Sequence, residues 1–451
     1  MGRLFGTDGV RGIANEKLTC DLAFQIGQAS AYVLTNEIHK PKILIGKDTR
    51  ASGDMLESAL IAGICSVGAE TLCAGVVPTS AVAYLTRHYG ADAGVVISAS
   101  HNTVEYNGIK IFNGNGYKLA DRLEERIESI ILDGTESIPL PTGVNVGRRT
   151  TIKKAKSEYI DYLMSTIEGR LDGIKVVLDC ANGAASKVAP VLMESLGAEV
   201  IALYNTPDGT NINDYCGSTH PQNLARQVSE LGADLGLAFD GDADRLIAVD
   251  EHGKIVDGDI IMAICAIDLK NRGLLKKDTL VATVMSNLGL ELSLQKHGIQ
   301  VVKSDVGDRY VLEKMLQDDY SLGGEQSGHI IFLDHNTTGD GILTGLQLMA
   351  LLKRQNTKLS KLAKQVEILP QVLVNIKVDD AKKYDYQQDD QIREEIQKLE
   401  EKMQGRGRAL IRASGTEPLV RVMLEGQDMQ YIEDESIKIA KIIEEKFGVN
   451  G

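Results

Sequence analysis

Residues 174–178 read Ile-Lys-Val-Val-Leu, and about one helix's length further on comes Gly197-Ala198-Glu199-Val200. A short apolar run, an amphipathic stretch, a glycine and a second apolar run make a strand–helix–strand unit. Strands apolar throughout are buried on both faces, and a parallel sheet covered by helices buries them that way. The same order occurs twice more. Lys42-Ile43-Leu44-Ile45-Gly46 leads through a helix near 54–67 to Gly68-Ala69-Glu70, and Thr279-Leu280-Val281-Ala282 leads to Gly298-Ile299-Gln300-Val301. Three such units at wide spacing predict three similar α/β domains, not a short-period solenoid. The tail differs: residues 381–404 are rich in Lys, Glu, Gln and Asp with helical periodicity. Two strands around a polar loop (409–424) and a closing helix near 430–447 follow, which reads as a small α+β domain. Boundaries near 145, 247 and 368 divide the chain into 1–145, 146–247, 248–367 and 368–451.

A chain of 451 residues, 43% of them apolar, is too long for one core and has material for several. Its net charge of −14 argues against a nucleic-acid or anionic-membrane partner. An acidic protein that takes an anionic substrate must gather arginine and lysine locally, so basic residues in loops become informative. The six cysteines (Cys20, Cys65, Cys73, Cys180, Cys216, Cys265) have no C-x-x-C and no metal-ligand spacing. They read as buried free thiols in a reducing compartment. Without a secretory pattern or an apolar run long enough to span a bilayer, a soluble cytoplasmic protein is expected.

Asp240-Gly241-Asp242-Ala243-Asp244-Arg245 follows the apolar run 235–239. On an extended chain, alternation would send the three carboxylates to one side. So crowded, they repel one another unless a hard cation sits among them. Mg²⁺, which takes few protein oxygens and leaves room for a phosphate, suits the set. Arg245 adds a planar fork that matches phosphate oxygens. A solvated acidic loop is the plain alternative. A calcium EF-hand is rejected, because Arg245 stands where that loop needs glycine and residues 246–249 read as a strand.

Val95-Val96-Ile97 runs into Ser98-Ala99-Ser100-His101-Asn102, at the carboxyl end of a strand, where ligands gather in open α/β sheets. Ser100 beside His101 suits an activated nucleophile, with a capped turn as the alternative. The elbow G-x-S-x-G is absent, which weakens an esterase reading. Lys110 follows on the next strand-like stretch, as a general acid/base or a solvated charge. Gly323-Gly324-Glu325-Gln326-Ser327-Gly328-His329 sets four hydrogen-bonding side chains among glycines, a density suited to a polyhydroxylated ring. Arg412-Ala413-Ser414-Gly415-Thr416-Glu417-Pro418, with Arg421 just after, reads as a phosphate cradle but not as a Walker loop. Residues 6–12, with Arg11, and Lys47-Asp48-Thr49-Arg50 supply further basic side chains.

In this order the blocks FGTDGVRG, GKDTRASG, ISASHN, DGDADR, GGEQSGH and RASGTEP resemble the α-D-phosphohexomutase superfamily over essentially the whole chain. FGTDGVRG, GGEQSGH and residues 209–214 with 216–221 favour the bacterial branch that acts on glucosamine phosphates; glucose or mannose phosphates are the alternative. The resemblance implies three similar mixed α/β sheet domains plus a smaller C-terminal α+β domain around a central cleft, and a homodimer. It implies a sugar-phosphate substrate and a phosphoryl group carried by Ser100. One Mg²⁺ would be held by that phosphoserine with Asp240, Asp242 and Asp244. Lys110, as acid/base, would lie near the transferring group with His101, Arg11 and Arg245. Glu325, Ser327 and His329 would meet the sugar hydroxyls. Arg412, Ser414, Gly415, Thr416 and Arg421 would hold the phosphate that is not reacting. The implied reaction runs from 6-phosphate through a 1,6-bisphosphate, which turns end over end, to 1-phosphate, on the route to UDP-N-acetylglucosamine. Where the family commonly has Pro and an acidic residue after ISASHN, this chain has Thr103-Val104-Glu105-Tyr106, so a differently shaped loop is expected. A phosphatase would use the same serine with water as acceptor, but a separate phosphate cradle argues against it. A sugar-phosphate sensor would need no nucleophile.

Overall fold

The computed structural model, which describes residues 3–6, 8–34, 40–414 and 418–449, builds the three apolar units to one plan. In each, the first strand is flanked by the second and the third, both parallel to it, and a fourth strand returns antiparallel to the third. The spatial order is therefore fourth, third, first, second. In the first sheet these are Lys42–Lys47, Glu70–Val76, Ala93–Ile97 and Tyr106–Asn113. In the second they are Lys175–Asp179, Glu199–Leu203, Leu235–Phe239 and Leu246–Asp250. In the third they are Thr279–Thr283, Gln300–Ser304, Leu322–Gly324 and Ile330–Phe332. The third strands are buried along their whole lengths, which is why they read as unbroken apolar runs. The loop from third to fourth strand thus leaves the carboxyl end of a buried parallel strand and reverses. The ISASHN, DGDADR and GEQSGH blocks occupy this same place in the three sheets.

Two expected boundaries fall elsewhere. The one at 247 lies inside Leu246–Asp250, whose five residues pair with Leu235–Phe239, and the sheet continues to Ile255–Val256. The one at 145 precedes Arg149–Thr151, which adds an edge strand to the first sheet. At both places the hydrogen-bonded ladder continues past the expected boundary.

The backbone forms two compact units: residues up to Met285 with Gly298–Gln365, and Ser286–His297 with the residues from Val366 onward. The second unit has an antiparallel sheet in the order Gln371–Lys377, Leu419–Gly426, Gly407–Ala413, with helices Asp390–Met403 and Met429–Phe447. Its core is Val420, Val422, Leu424, Ile432, Ile439 and Ile443. The strand Gln371–Lys377 was not foreseen. The helix Leu288–Lys296, expected to serve only the third α/β sheet, belongs to this unit. Its first amide donates to the buried Glu425 carboxylate (3.0 Å), which also pairs with Arg408 (2.7 Å), and Arg408 donates to the Ser286 carbonyl (2.6 Å). All six cysteines are free thiols, and no helix among the described residues is long and apolar enough to cross a membrane.

In the first unit, the amino-terminal segment is fastened by one buried carboxylate. Glu128, on the helix Asp121–Asp133, accepts the amides of Arg3, Leu4 and Phe5 at 2.9, 2.6 and 2.7 Å. Burial opposes its charge, but the three amides outweigh burial and hold its carboxyl below the usual range. A depressed carboxyl pKa stabilises the fold above the unfolded value, about 4.3, and that stabilisation fades as pH falls through the folded value. The urea midpoint of Glu128→Gln should therefore fall below wild type at pH 7, and the gap should close towards pH 3.

Candidate active site

The serine loop is held from three sides. Ser100 is buried and adopts a left-handed backbone (φ 52°), a strained conformation for a residue with a side chain. Its amide donates to Ser98 Oγ (2.9 Å), and Ser98 donates to Asp48 Oδ2 (2.6 Å). Arg50 pairs with the same Asp48 (2.9 Å) and donates to the carbonyls of Ser100 (3.0 Å), Asn102 (2.7 Å) and Thr103. The Asn213 side-chain amide donates to the carbonyls of Ser100 (2.8 Å) and Asn102 (3.0 Å). Arg50, grouped in the sequence with basic residues for a ligand, therefore spends its guanidinium on the loop itself. In the unusual stretch after Asn102, the Tyr106 amide closes a turn on the Thr103 carbonyl (3.2 Å).

The acidic loop does not continue extended, so strand alternation is not what gathers its carboxylates. It turns, with Ala243 left-handed (φ 58°) and the Ala243 amide on the Asp240 carbonyl (3.0 Å). Asp240, Asp242 and Asp244 still converge, with carboxylate oxygens within 4.8 Å of one another, all buried. Ser100 Oγ donates to Asp240 Oδ2 at 2.5 Å, and the Arg245 amide donates to Asp240 Oδ1 at 3.2 Å. Lys110, on the returning strand opposite Val96, reaches Asp242 (2.9 Å), Asp8 (3.1 Å) and Asp244 (3.4 Å). Thr79 donates to Asp242 Oδ2 (2.6 Å), and His329 Nδ1 lies 3.6 Å from Asp244 Oδ2. What remains is informative: Asp242 Oδ1 and Asp244 Oδ1 are buried with no hydrogen-bond partner. Buried carboxylate oxygens without donors are costly, and clustered hard oxygens suit a divalent cation such as Mg²⁺.

Electrostatics sort the titratable groups. Burial and the two neighbouring carboxylates push Asp240 well above the usual range. Burial does the same to Asp244, but Lys110, His329 and Arg245 outweigh it and hold that carboxyl low. Lys110 stays protonated, because Asp242, Asp8 and Asp244 overcome the cost of burying its ammonium. Burial, then Arg245 and Arg11, push His101 down to about 4, so its imidazole is neutral near pH 7. Its Nδ1 lies 3.3 Å from Ser100 Oγ and 3.2 Å from Arg245 Nη1. A hydroxyl has one proton, and the shorter contact to Asp240 takes it. The hydrogen-bond acceptor for the Ser100 hydroxyl in this arrangement is therefore Asp240, not the adjacent histidine.

A cavity of about 370 Å³ is lined by Asp8, Arg11, Asp244, Arg245, Val306, Gly307, Asp308, Glu325, Ser327 and His329. Five expected site residues thus share one cavity: Arg11, Arg245, Glu325, Ser327 and His329. The Gly307 amide donates to Glu325 Oε1 (3.1 Å), and Lys118 pairs with both Asp8 (2.6 Å) and Asp308. In the second unit, Arg412 lies directly opposite Arg421 across two antiparallel strands. Ser414 is buried, with its amide on the Leu419 carbonyl (2.8 Å). Gly415 and Thr416 of the expected cradle lie outside the described residues.

Family models for phosphoglucomutase/phosphomannomutase match in order along the chain: α/β/α domain I at 2–137, domain II at 157–253, domain III at 257–368 and the C-terminal domain at 373–441. A phosphoglucosamine mutase of Acetivibrio thermocellus is 60% identical over 449 residues, 99% of this chain and 100% of the relative. The chain belongs to the α-D-phosphohexomutase superfamily. A phosphoglucosamine mutase of Clostridium novyi is also 60% identical to this phosphohexomutase, over 99% of each chain. Among solved structures, a phosphoglucomutase/phosphomannomutase family protein from Burkholderia thailandensis shares its fold (TM-score 0.81, 24% identity, 97% of each chain). So does an Aspergillus fumigatus N-acetylphosphoglucosamine mutase solved with GlcNAc-6P and magnesium (TM-score 0.70, 16% identity, 98% of this chain and 95% of that one).

Several residues that shape the site of this phosphohexomutase escaped the sequence reading: Asp8, Asp48, Thr79, Asn213 and Asp308. Each acts across more than fifty positions of chain, or from within a loop noted for other residues. Asp8, Asp48 and Asn213 lay in blocks quoted for their resemblance, which was the available signal. Arg50→Ala would strand the buried Asp48 carboxylate and unfasten the serine loop. Removing one partner of a buried pair costs about 3–5 kcal/mol, and a loss of that order should appear in urea unfolding. Amide exchange should accelerate selectively in residues 100–103.

Proposed function

We propose that this chain is a phosphoglucosamine mutase, interconverting glucosamine 6-phosphate and glucosamine 1-phosphate through a phosphorylated Ser100 and glucosamine 1,6-bisphosphate. The observation that carries the reading is a buried serine hydroxyl joined at 2.5 Å to a triad of convergent aspartates. The name borne by relatives 60% identical over nearly the whole chain supports the substrate. Asp240, Asp242 and Asp244, with the phosphate on Ser100, would hold Mg²⁺, which when bound neutralises charge on the transferring group.

Phosphoryl transfer asks the protein mainly for alignment and compensated charge. In the first transfer, O1 of the 6-phosphate substrate bonds to phosphorus as the Ser100 Oγ–P bond breaks, and the O1 proton passes to the freed Ser100 Oγ by way of Asp240 Oδ2. In the return, Ser100 Oγ bonds to the phosphorus at O6 as the O6–P bond breaks, and the hydroxyl proton leaves along its existing bond to Asp240 Oδ2, which hands it to the freed O6. Lys110, protonated, with Arg11 and Arg245 supplies fixed positive charge; His101 stays neutral beside them. Glu325, Ser327 and His329 are assigned to ring hydroxyls, which they can meet in either orientation because they offer both donors and acceptors. Arg412, Ser414, Gly415, Thr416 and Arg421 are assigned to the phosphate that is not reacting. Arg412 and Arg421 stand in register on neighbouring strands, and two planar guanidinium forks suit a phosphate dianion. Six free thiols are in keeping with a cytoplasmic setting.

The test is a coupled assay with Mg²⁺ on glucosamine, glucose and mannose 6-phosphates. Glucosamine 1-phosphate should form in clear preference, and EDTA should stop its formation. Ser100→Ala should lower turnover by at least about 10⁴-fold, as loss of a nucleophile does, while sugar-phosphate binding survives. Turnover retained in that variant would overturn the mechanism.

A further inference from the structure

Asp242 is held, besides Lys110, by a residue that belongs neither to the three site loops nor to the strands they join. The strand Glu70–Val76 leads through Val77 and Pro78 into the helix Thr79–His88, whose first residue is buried. Thr79 Oγ1 donates to Asp242 Oδ2 at 2.6 Å, and the Thr79 amide donates to the Asp242 carbonyl at 3.0 Å. One residue thus fixes both the backbone and the side chain of a carboxylate 163 positions away. Oδ2 receives Lys110 as well, at 2.9 Å, while Oδ1 is buried with no hydrogen-bond partner. The two oxygens of Asp242 are therefore not equivalent: one is consumed by the protein and the other is kept clear. The helix start is itself held. Ser80 Oγ contacts Tyr159 Oη at 2.8 Å, Tyr159 donates to the buried Asp340, and Asn336 donates to the Ser80 carbonyl at 3.2 Å. The amino end of the helix also favours an ionised carboxylate beside it.

We infer that Thr79 is a positioning residue for the divalent cation: it ties up Asp242 Oδ2 so that Oδ1 is presented to the metal. The inference rests on the metal reading above. A carboxylate turned by its own hydrogen bonds is the usual way in which neighbours set the affinity of a metal ligand, and losing such a partner typically weakens metal binding by about 10–100-fold. Without the hydroxyl, Asp242 can rotate and share both oxygens with Lys110.

The test uses Mn²⁺ as the probe, by titration calorimetry on full-length wild type, Thr79→Val and Thr79→Ser, each matched for Ser100 phosphorylation by intact mass. Valine keeps the shape and removes the hydroxyl; serine keeps the hydroxyl. Thr79→Val should bind Mn²⁺ at least about tenfold more weakly, with Thr79→Ser restored to near wild type. In turnover, the Mg²⁺ concentration for half-saturation should rise by a similar factor, while the rate at saturating Mg²⁺ largely recovers. Thr79→Ala makes the same comparison with serine should the valine variant not fold. Wild-type affinity in Thr79→Val, or equal weakening in Thr79→Ser, overturns the role of Thr79 alone. Absence of Mn²⁺ binding in wild type overturns it together with the metal reading.

Discussion

Everything around the site answers one electrostatic constraint: three carboxylates held within 4.8 Å of one another in a buried place. Each ion taken out of water costs several kcal/mol unless partners repay it, and three like charges add their repulsion. The chain meets this with Lys110 among Asp242, Asp244 and Asp8, with the Arg245 amide on Asp240, and with His329 beside Asp244. The compensation is incomplete by design of the geometry. Two oxygens accept no hydrogen bond, and burial with the two neighbouring carboxylates pushes up the Asp240 carboxyl, which accepts from Ser100. An uncompensated remainder of negative charge is what a divalent cation can use.

The sheets deliver that cluster because they repeat. Each third strand ends at the same place in its sheet, so three loops of unrelated sequence share one topological position. Ser100, the three aspartates, and Glu325, Ser327 and His329 come from these loops. Lys110 joins them by pairing its strand with that of Val96. The reversal at each strand end also frees the loop backbone from the ladder. That allows the left-handed residues Ser100 and Ala243, each fixed by hydrogen bonds from elsewhere.

Local pattern made the sheets and their loops legible, since buried parallel strands are apolar throughout and the polar loops interrupt them sharply. It misled where the same residues allow two geometries. Three aspartates spaced by two fit an extended strand and a tight turn equally well, and the left-handed Ala243 carries no signal in its side chain. The boundary near 247 cuts a strand pair, because residues 246–249 read as a strand but no local pattern tells that they pair back onto Leu235–Phe239 across the acidic loop. Asp48, Thr79 and Asn213 were beyond reach for a different reason. Their partners lie 50, 163 and 113 positions away, and no periodicity reports a contact of that range.

The place of Leu288–Lys296 has a consequence for how the protein is made. The helix leaves the ribosome early, but its amino end is secured by Glu425, 137 residues later. At roughly 5–20 residues per second, synthesis of that interval takes about 7–27 s. For that time the second unit lacks its sheet, and Ser286–His297 has none of the partners it finds there. The last unit is thus stitched from two distant stretches of chain, and it can close only near the end of translation.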